Sequence, residues 1–278
     1  MGKYRFEMSI HGTNFMDLDR RSKSDPFAVV FVKEPTAGDF KEFGRTETVW
    51  EELSPRFVTK FLVDNVPMES RLRIVFCDRD SELEKLSKHD FIGEVQFQMK
   101  ELLEDRTNMK SFVLQNEYTR KHAGTAFLGV DRIRLPSPNR MMTFEIRFGK
   151  VEHLLSSMTK CFIEFLRPME NGGWTPVYRT ESTRVETSSP FELLSLEESM
   201  LNAGVQTNST RIEIWKIYSM SQETKLVAYT EFSLANMLKT GKGFGANFIR
   251  EDQVAKASWN VISLVSTSSD FGIRLDNF

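Results

Sequence analysis

A shift of about 135 residues lays this chain on itself with matches in the same order along both halves. Self-similarity at a fixed period constrains a fold more than local propensity does, because each copy has to build the same unit. Arg5-Phe6-Glu7-Met8 answers Thr143-Phe144-Glu145-Ile146, and Gly44-Arg45-Thr46-Glu47 answers Tyr178-Arg179-Thr180-Glu181. Ser54-Pro55 answers Ser189-Pro190, Arg71-Leu72-Arg73-Ile74 answers Arg211-Ile212-Glu213-Ile214, and Phe97 to Leu103 answers Phe232 to Leu238. At 278 residues the chain has room for two domains, each able to bury its own core.

The matched segments read as strands. Apolar residues alternate in Phe6, Met8 and Ile10 and again in Leu72, Ile74 and Phe76, between clusters of Gly, Pro, Ser and Asn. Phe57, Thr59 and Phe61 alternate with Val58, Lys60 and Leu62, which predicts a strand covered on both faces. Helical pattern is confined to two short connectors, Met99 to Leu103 and Leu234 to Leu238. Short strands at this spacing predict an all-β chain built of β-sandwiches. The prolines of Leu135-Pro136-Ser137-Pro138-Asn139 fall where the repeat restarts, so we expect domains over residues 1–134 and 141–278.

One property differs between the copies. The first half carries Asp19 and Asp25 in one loop and Asp78, Asp80 and Asp90 in another, and there is no aspartate between Asp131 and Asp252. Alternation at a strand end points Asp78 and Asp80 to the same side. Five carboxylates converging at one end of a sandwich repel one another unless a cation is present, and calcium takes six to eight oxygens from such loops. On their own, loop aspartates are also ordinary turn formers. Carrying the first site across the repeat places Leu154, Lys160, Tyr218, Met220 and Lys225 at the five positions.

These residues carry a resemblance. Ser22-Lys23-Ser24-Asp25-Pro26-Phe27, Ser54-Pro55-Arg56-Phe57, Asp78-Arg79-Asp80 and His89-Asp90-Phe91-Ile92-Gly93 resemble the calcium loops and flanking strands of C2 domains. The Ser-Lys-Ser-Asp-Pro string, Gly44-Arg45-Thr46 and the long stretch between Asp80 and Asp90 are similar to the first C2 domain of the copine family. The resemblance implies two tandem eight-stranded antiparallel sandwiches, the first binding two or three calcium ions and, through them, anionic phospholipid. It also implies backbone carbonyl ligands at Leu18 and Arg79. Copines continue into a von Willebrand A-type domain, whereas this sequence ends as its second repeat closes, near Phe271 to Leu275.

Around the aspartates, Arg20 and Arg21 and then Leu83, Lys85, Leu86 and Lys88 read either as an ordinary charged surface or as a membrane-contact surface, with leucines entering the headgroup region and cations meeting anionic lipid. In the second half, Lys160 and Lys225 read either as solvated lysines or as a calcium-independent contact for an anionic lipid or acidic partner.

Other function classes are disfavoured. A net charge of -2 lacks the basic excess of a nucleic-acid binder. Cys77 and Cys161 are two cysteines in different halves, which fits a reducing, cytoplasmic setting rather than a disulfide scaffold. No apolar run approaches the ~18 residues of a membrane span, and Gly2 lacks the hydroxyl residue expected at position 6 for myristoylation, which is Phe6. None of His11, His89, His122 and His153 sits in a recognisable nucleophilic arrangement, so we expect no enzyme. The sequence therefore predicts a cytoplasmic protein recruited to the plasma membrane or internal membranes as calcium rises. The rival reading is a protein-interaction adaptor whose sandwiches bind polypeptides.

Overall fold

The computed structural model describes residues 3–20, 22–104, 109–119, 122–136, 141–148, 160–184, 192–218, 223–240, 244–250 and 258–268. The chain divides into two units, one of Arg5–Arg132 and one of Ile133–Phe278 with Met1–Tyr4.

In the first unit the strands are β1 (Lys3–Thr13), β2 (Pro26–Lys33), β3 (Lys41–Arg45), β4 (Phe61–Leu62), β5 (Arg71–Asp78), β6 (Asp90–Gln98), β7 (Lys110–Val113) and β8 (Thr125–Leu135). They form two antiparallel sheets, ordered β4-β1-β8-β7 and β3-β2-β5-β6. The alternating residues predicted to face inward do so: Met8, Ile10, Leu72, Ile74 and Phe76 are fully buried in one core with Phe57, Ile92 and Leu128. Each such side chain contributes about 1.5–3 kcal/mol by leaving water. Helix α1 (Met99–Leu103) closes the connection after β6, with Glu101 capping the Gln98 amide at 2.8 Å.

The predicted strand over residues 57–62 shrinks to β4. The reason is a competing acceptor: the Glu47 carboxylate takes the Val58 amide at 2.6 Å, the Thr59 amide at 3.1 Å and the Thr59 hydroxyl at 2.6 Å. Those amides are satisfied without a ladder, so the segment stays irregular while Phe57 still reaches the core.

The second unit contains β9 (Met141–Phe148), β10 (Lys160–Pro168), β11 (Trp174–Arg179), β12 (Thr183–Arg184), β13 (Glu192–Glu197), β14 (Ser209–Ile217), β15 (Thr224–Ser233), β16 (Phe244–Arg250) and β17 (Ser258–Ser268). Helix α2 (Glu198–Asn202) precedes β14 and α3 (Leu234–Thr240) follows β15. The strand order β11-β10-β14-β15, then β16-β17-β9-β13, repeats that of the first unit, and β12 is a ninth strand, paired with β10, where eight were expected. Two residue pairs between β15 and β16, Ala228↔Arg250 and Tyr229↔Ile249, join the sheets at a corner. The first unit has a single bridge there, Glu94↔Gln115. The second core gathers Cys161, Ile163, Phe165, Ile212, Ile214 and Ala228.

The repeat extends to individual hydrogen bonds. The Ala28 amide donates to Thr46 Oγ1 at 2.8 Å, and the Ile163 amide donates to Thr180 Oγ1 at 2.9 Å. Among the described residues no helix is long and apolar enough to cross a membrane.

Candidate metal centre

The mouth of the first sandwich is assembled where three strands end together. Asp78 is the last residue of β5 and pairs across the sheet with Pro26 of β2 on one side and Asp90 of β6 on the other. The proline starts β2 without needing a ladder partner for its nitrogen, and this leaves Asp25 at the strand entrance. One carboxylate oxygen each from Asp19, Asp25 and Asp78 lie within 4.8 Å of one another.

Short bonds from the backbone fix this cluster. The Asp25 amide donates to Asp78 Oδ1 at 2.6 Å, the Glu51 amide donates to Asp25 Oδ1 at 2.7 Å, and the Arg79 amide donates to the Asp25 carbonyl at 3.1 Å. Ser24, fully buried, accepts the Leu18 amide at 2.8 Å and hydrogen bonds the Asp78 carboxylate. Leu18 and Arg79, whose carbonyls the resemblance marks as ligands, are thus each anchored through their amides. Asp78 is buried, and its Oδ2 has no hydrogen-bond partner. A buried, unpartnered carboxylate oxygen costs free energy unless something else meets it.

Burial raises the Asp25 carboxyl to about 6, against the Glu51 amide and with the charges of Asp78, Glu51 and Asp19 adding to the rise. Asp78 is raised for the same first reason, opposed by Ser24 and the Asp25 amide and reinforced by Asp19 and Asp80. Asp80 and Asp90 lie outside the three-carboxylate cluster but are tied to each other, with the Asp90 amide donating to Asp80 Oδ2 at 2.7 Å. His89 braces the same loop: its Nε2 donates to the Leu83 carbonyl at 2.7 Å, which leaves Nδ1 to accept the Asp80 amide at 3.3 Å.

The expected membrane-contact residues divide. Arg20, Leu83, Lys85 and Lys88 are exposed, and Leu83 keeps 58% of its surface open. Leu86 is half-buried against Phe27, Val29, Val75 and Cys77, so the loop folds one leucine back onto the sheet and presents the other. Arg21 lies outside the described residues.

Sequence reasoning missed Trp50. It is 59% exposed, precedes the residue whose amide holds Asp25, and has the Arg79 guanidinium 5.9 Å from its ring. Glu51 beside it takes a left-handed φ of 54°, and its carboxylate accepts the Lys23 amide at 2.7 Å. A non-glycine residue held in this way is a common mark of a functional loop. A tryptophan followed by two glutamates in Val49-Trp50-Glu51-Glu52 was the available signal.

In the second unit the register corrects the position-by-position transfer. Val29 pairs with Arg45 and Val75, and Glu164 pairs with Arg179 and Glu213. Val75 therefore corresponds to Glu213 and Arg73 to Arg211, two positions away from the match read in sequence. A slip of two preserves the in–out alternation, so periodicity cannot detect it. Asp25 still corresponds to Lys160 and Asp90 to Lys225, but Asp78 corresponds to Lys216 and Asp80 to Tyr218. Leu154 and Met220 lie outside the described residues.

Comparison with known proteins adds relatives to this geometry. Residues 7–114 match the C2 domain family. The chain is 25% identical to Copine-D of Dictyostelium discoideum over 257 residues, covering 86% of this chain and 47% of that protein. It is 24% identical to Protein BONZAI 1 of Arabidopsis thaliana over 259 residues, covering 88% and 44%. The chain thus spans about half the length of the curated relatives it matches. Similar solved structures include BON1-C2B, at 25% identity and a TM-score of 0.36, covering 48% of this chain and 92% of that one. Another is the calcium-bound pair of C2 domains of Extended-Synaptotagmin 2, at 14% identity and a TM-score of 0.35, covering 96% and 98%.

Proposed function

Since residues 7–114 match the C2 domain family and most of the chain is similar to Copine-D and BONZAI 1, we propose that its first unit is a calcium-regulated membrane-docking module. The observation that carries this reading is the buried Asp78 carboxylate, which has one oxygen without a hydrogen-bond partner and which clusters with the carboxylates of Asp19 and Asp25. The donor set is all hard oxygen, as calcium requires. Asp19, Asp25 and Asp78 would hold the ion, with Asp80, Asp90 and the carbonyls of Leu18 and Arg79 completing its shell. Bound calcium would supply the positive charge that cancels the cluster and offers open coordination positions to lipid phosphate or carboxylate oxygens.

The chain's own residues account for the switch. With the carboxylates uncompensated, the sandwich mouth repels an anionic surface. With them neutralised, Arg20, Lys85 and Lys88 act on that surface, each contributing about 1 kcal/mol, while Leu83 and Trp50 enter the headgroup region. Ser24 and Glu51 are positioning residues, holding Asp78 and Asp25 from behind. The protein would rest in the cytoplasm and move to the plasma membrane or internal membranes as calcium rises. The second unit would act independently of calcium, as a scaffold or partner surface.

Sedimentation with phosphatidylserine vesicles, in calcium and in chelator, tests the reading. We expect calcium-dependent pelleting that an Asp78→Asn, Asp80→Asn variant loses. Pelleting that ignores both calcium and the substitution would refute it. Absence of pelleting by wild-type protein would leave the adaptor role as the better account.

A further inference from the structure

The register that moves Lys216 onto the Asp78 position exposes a second site. Lys216 and Lys225 are direct cross-strand partners at the end of β14 and the start of β15, as Asp78 and Asp90 are in the first unit. One row further out, Lys160 of β10 pairs with Arg184 of β12 on one side and Ile217 on the other. Four cations therefore occupy two adjacent rows at one end of one sheet.

Like charges placed directly opposite each other on a sheet are destabilising, and here two such pairs stand in successive rows, whose side chains leave opposite faces of the sheet and can be reached together only from the strand ends, where the equivalent Asp25 and Asp78 come together in the first unit. Among the described residues none of the four is in an ion pair, and Lys160, Arg184 and Lys225 are exposed. Lys216 lies 5.0 Å from the ring of Tyr218, which stands at the Asp80 position and is itself 41% exposed. The Tyr218 amide donates to the Glu223 carbonyl at 2.9 Å and closes the hairpin. The connection is also trimmed: Lys216 and Lys225 are nine positions apart, against twelve for Asp78 and Asp90. The longer loop between Asp78 and Asp90 of the first unit has no counterpart of equal length here.

We infer that this end of the second sandwich is a calcium-independent phosphate site formed by Lys160, Arg184, Lys216 and Lys225. A loss of calcium binding needs only neutral replacements. Replacing three carboxylates by three ammonium groups inverts the ligand from a cation to an anion. The number of cations selects a phosphomonoester, which carries nearly two negative charges near neutral pH, over a single carboxylate. Arg184 adds a planar fork suited to phosphate oxygens, and the lysines act as adaptable point charges. The phosphate could belong to a lipid headgroup or to a soluble polyol phosphate, and the chemistry is shared. This deepens the calcium-independent role proposed for the second unit and does not depend on calcium binding by the first.

The test uses the full chain in chelator with phosphatidylcholine vesicles, plain or containing a phosphoinositide with ring phosphates. Wild-type protein is expected on the phosphoinositide vesicles only. A Lys216→Gln, Lys225→Gln variant should bind them about 30-fold more weakly, at about fivefold per cation removed. A Lys216→Arg, Lys225→Arg variant should bind like wild type, which separates charge from folding. Asp78→Asn should leave this chelator-resistant binding intact, so failure of the calcium reading and failure of this one are distinguishable. Displacement by soluble inositol trisphosphate would assign the site to the phosphate group from either source, and resistance to displacement would assign it to the bilayer-held headgroup. Wild-type protein that ignores both phosphate probes, glutamine variants that bind undiminished, or capture of polyglutamate alone would overturn the proposal.

Discussion

Asp25→Asn should stabilise the calcium-free protein while weakening its response to calcium. The substitution keeps the side chain's shape and keeps an oxygen to accept the Glu51 amide, which lies 2.7 Å from Asp25 Oδ1. What it removes is a charge in a half-buried site beside Asp78, Glu51 and Asp19. The carboxyl rises from 3.8 to about 6, which corresponds to about 3 kcal/mol at pH 7, at about 1.4 kcal/mol per tenfold in protonation. Solvent screening at this partly open position reduces the effect on stability to about 1–2 kcal/mol.

The sign follows from linkage. The folded protein holds this proton more tightly than the unfolded chain does, so the stability Asp25 contributes is complete below about 3.8 and is lost as pH rises through about 6. Wild-type protein in chelator should therefore gain stability between pH 7 and pH 5, and the variant should lack that gain. Thermal unfolding in chelator at pH 7 should place the variant's first-unit transition about 4–8 °C above wild type. A calcium level of ~100 times the dissociation constant stabilises a folded protein by about 2.7 kcal/mol, and the variant should forfeit much of that. A variant less stable than wild type in chelator, or one stabilised equally by calcium, would refute the claim that Asp25 is a strained ligand awaiting a cation.

Three further outcomes follow from the same structure. Thr46→Val leaves the buried Ala28 amide without its acceptor, and Thr180→Val does the same to Ile163; each should cost about 1–3 kcal/mol in urea unfolding, with serine recovering most of it. Gly93→Ala would set a Cβ 2.9 Å from Leu114 Cβ and 3.2 Å from the Gln115 carbonyl, so it should lower stability by about 1–3 kcal/mol and loosen β6 behind Asp90. Trp50→Ala removes a side chain that is 59% exposed; stability should stay within about 0.5 kcal/mol, while calcium-dependent partition onto anionic vesicles should fall about tenfold.

What the sequence could reveal was what strand alternation and chain order encode. Leu72, Ile74 and Phe76 alternate and are all buried, because a strand with one face on a core has no other way to fold them. The repeat was legible from weak ordered matches because both units use the same strand order. The strand predicted over 57–62 failed on a contact no local pattern encodes, the reach of Glu47 from a preceding loop. The half-buried position of Leu86 has a related origin: the outer face of the sheet carries Phe27, Val29, Val75 and Cys77, and this apolar patch draws the leucine back. Lys216 was hidden by a two-residue slip that alternation cannot register.

The two units separate what makes this sandwich from what the sandwich does. At outer-face positions, Val29 and Val75 of the first unit correspond to Glu164 and Glu213 of the second, where Arg179 and Arg211 form ion pairs with them. The fold survives that exchange because its inner face, with Met8, Ile74 and Phe76 in one unit and Ile163, Phe165 and Ile214 in the other, stays apolar. The strand ends tolerate still larger changes, since no core packing depends on their charge. Lysine introduced at the Asp25 position alone would sit beside Asp78 and neutralise the cluster from within. Lysine at the Asp25, Asp78 and Asp90 positions together restores the crowding with the opposite sign, as Lys160, Lys216 and Lys225 stand now. A charge cluster that is inverted rather than erased keeps the same unmet electrostatic demand, and on the two proposals made above this demand, for a cation in one unit and for an anion in the other, would select the ligand of each sandwich mouth.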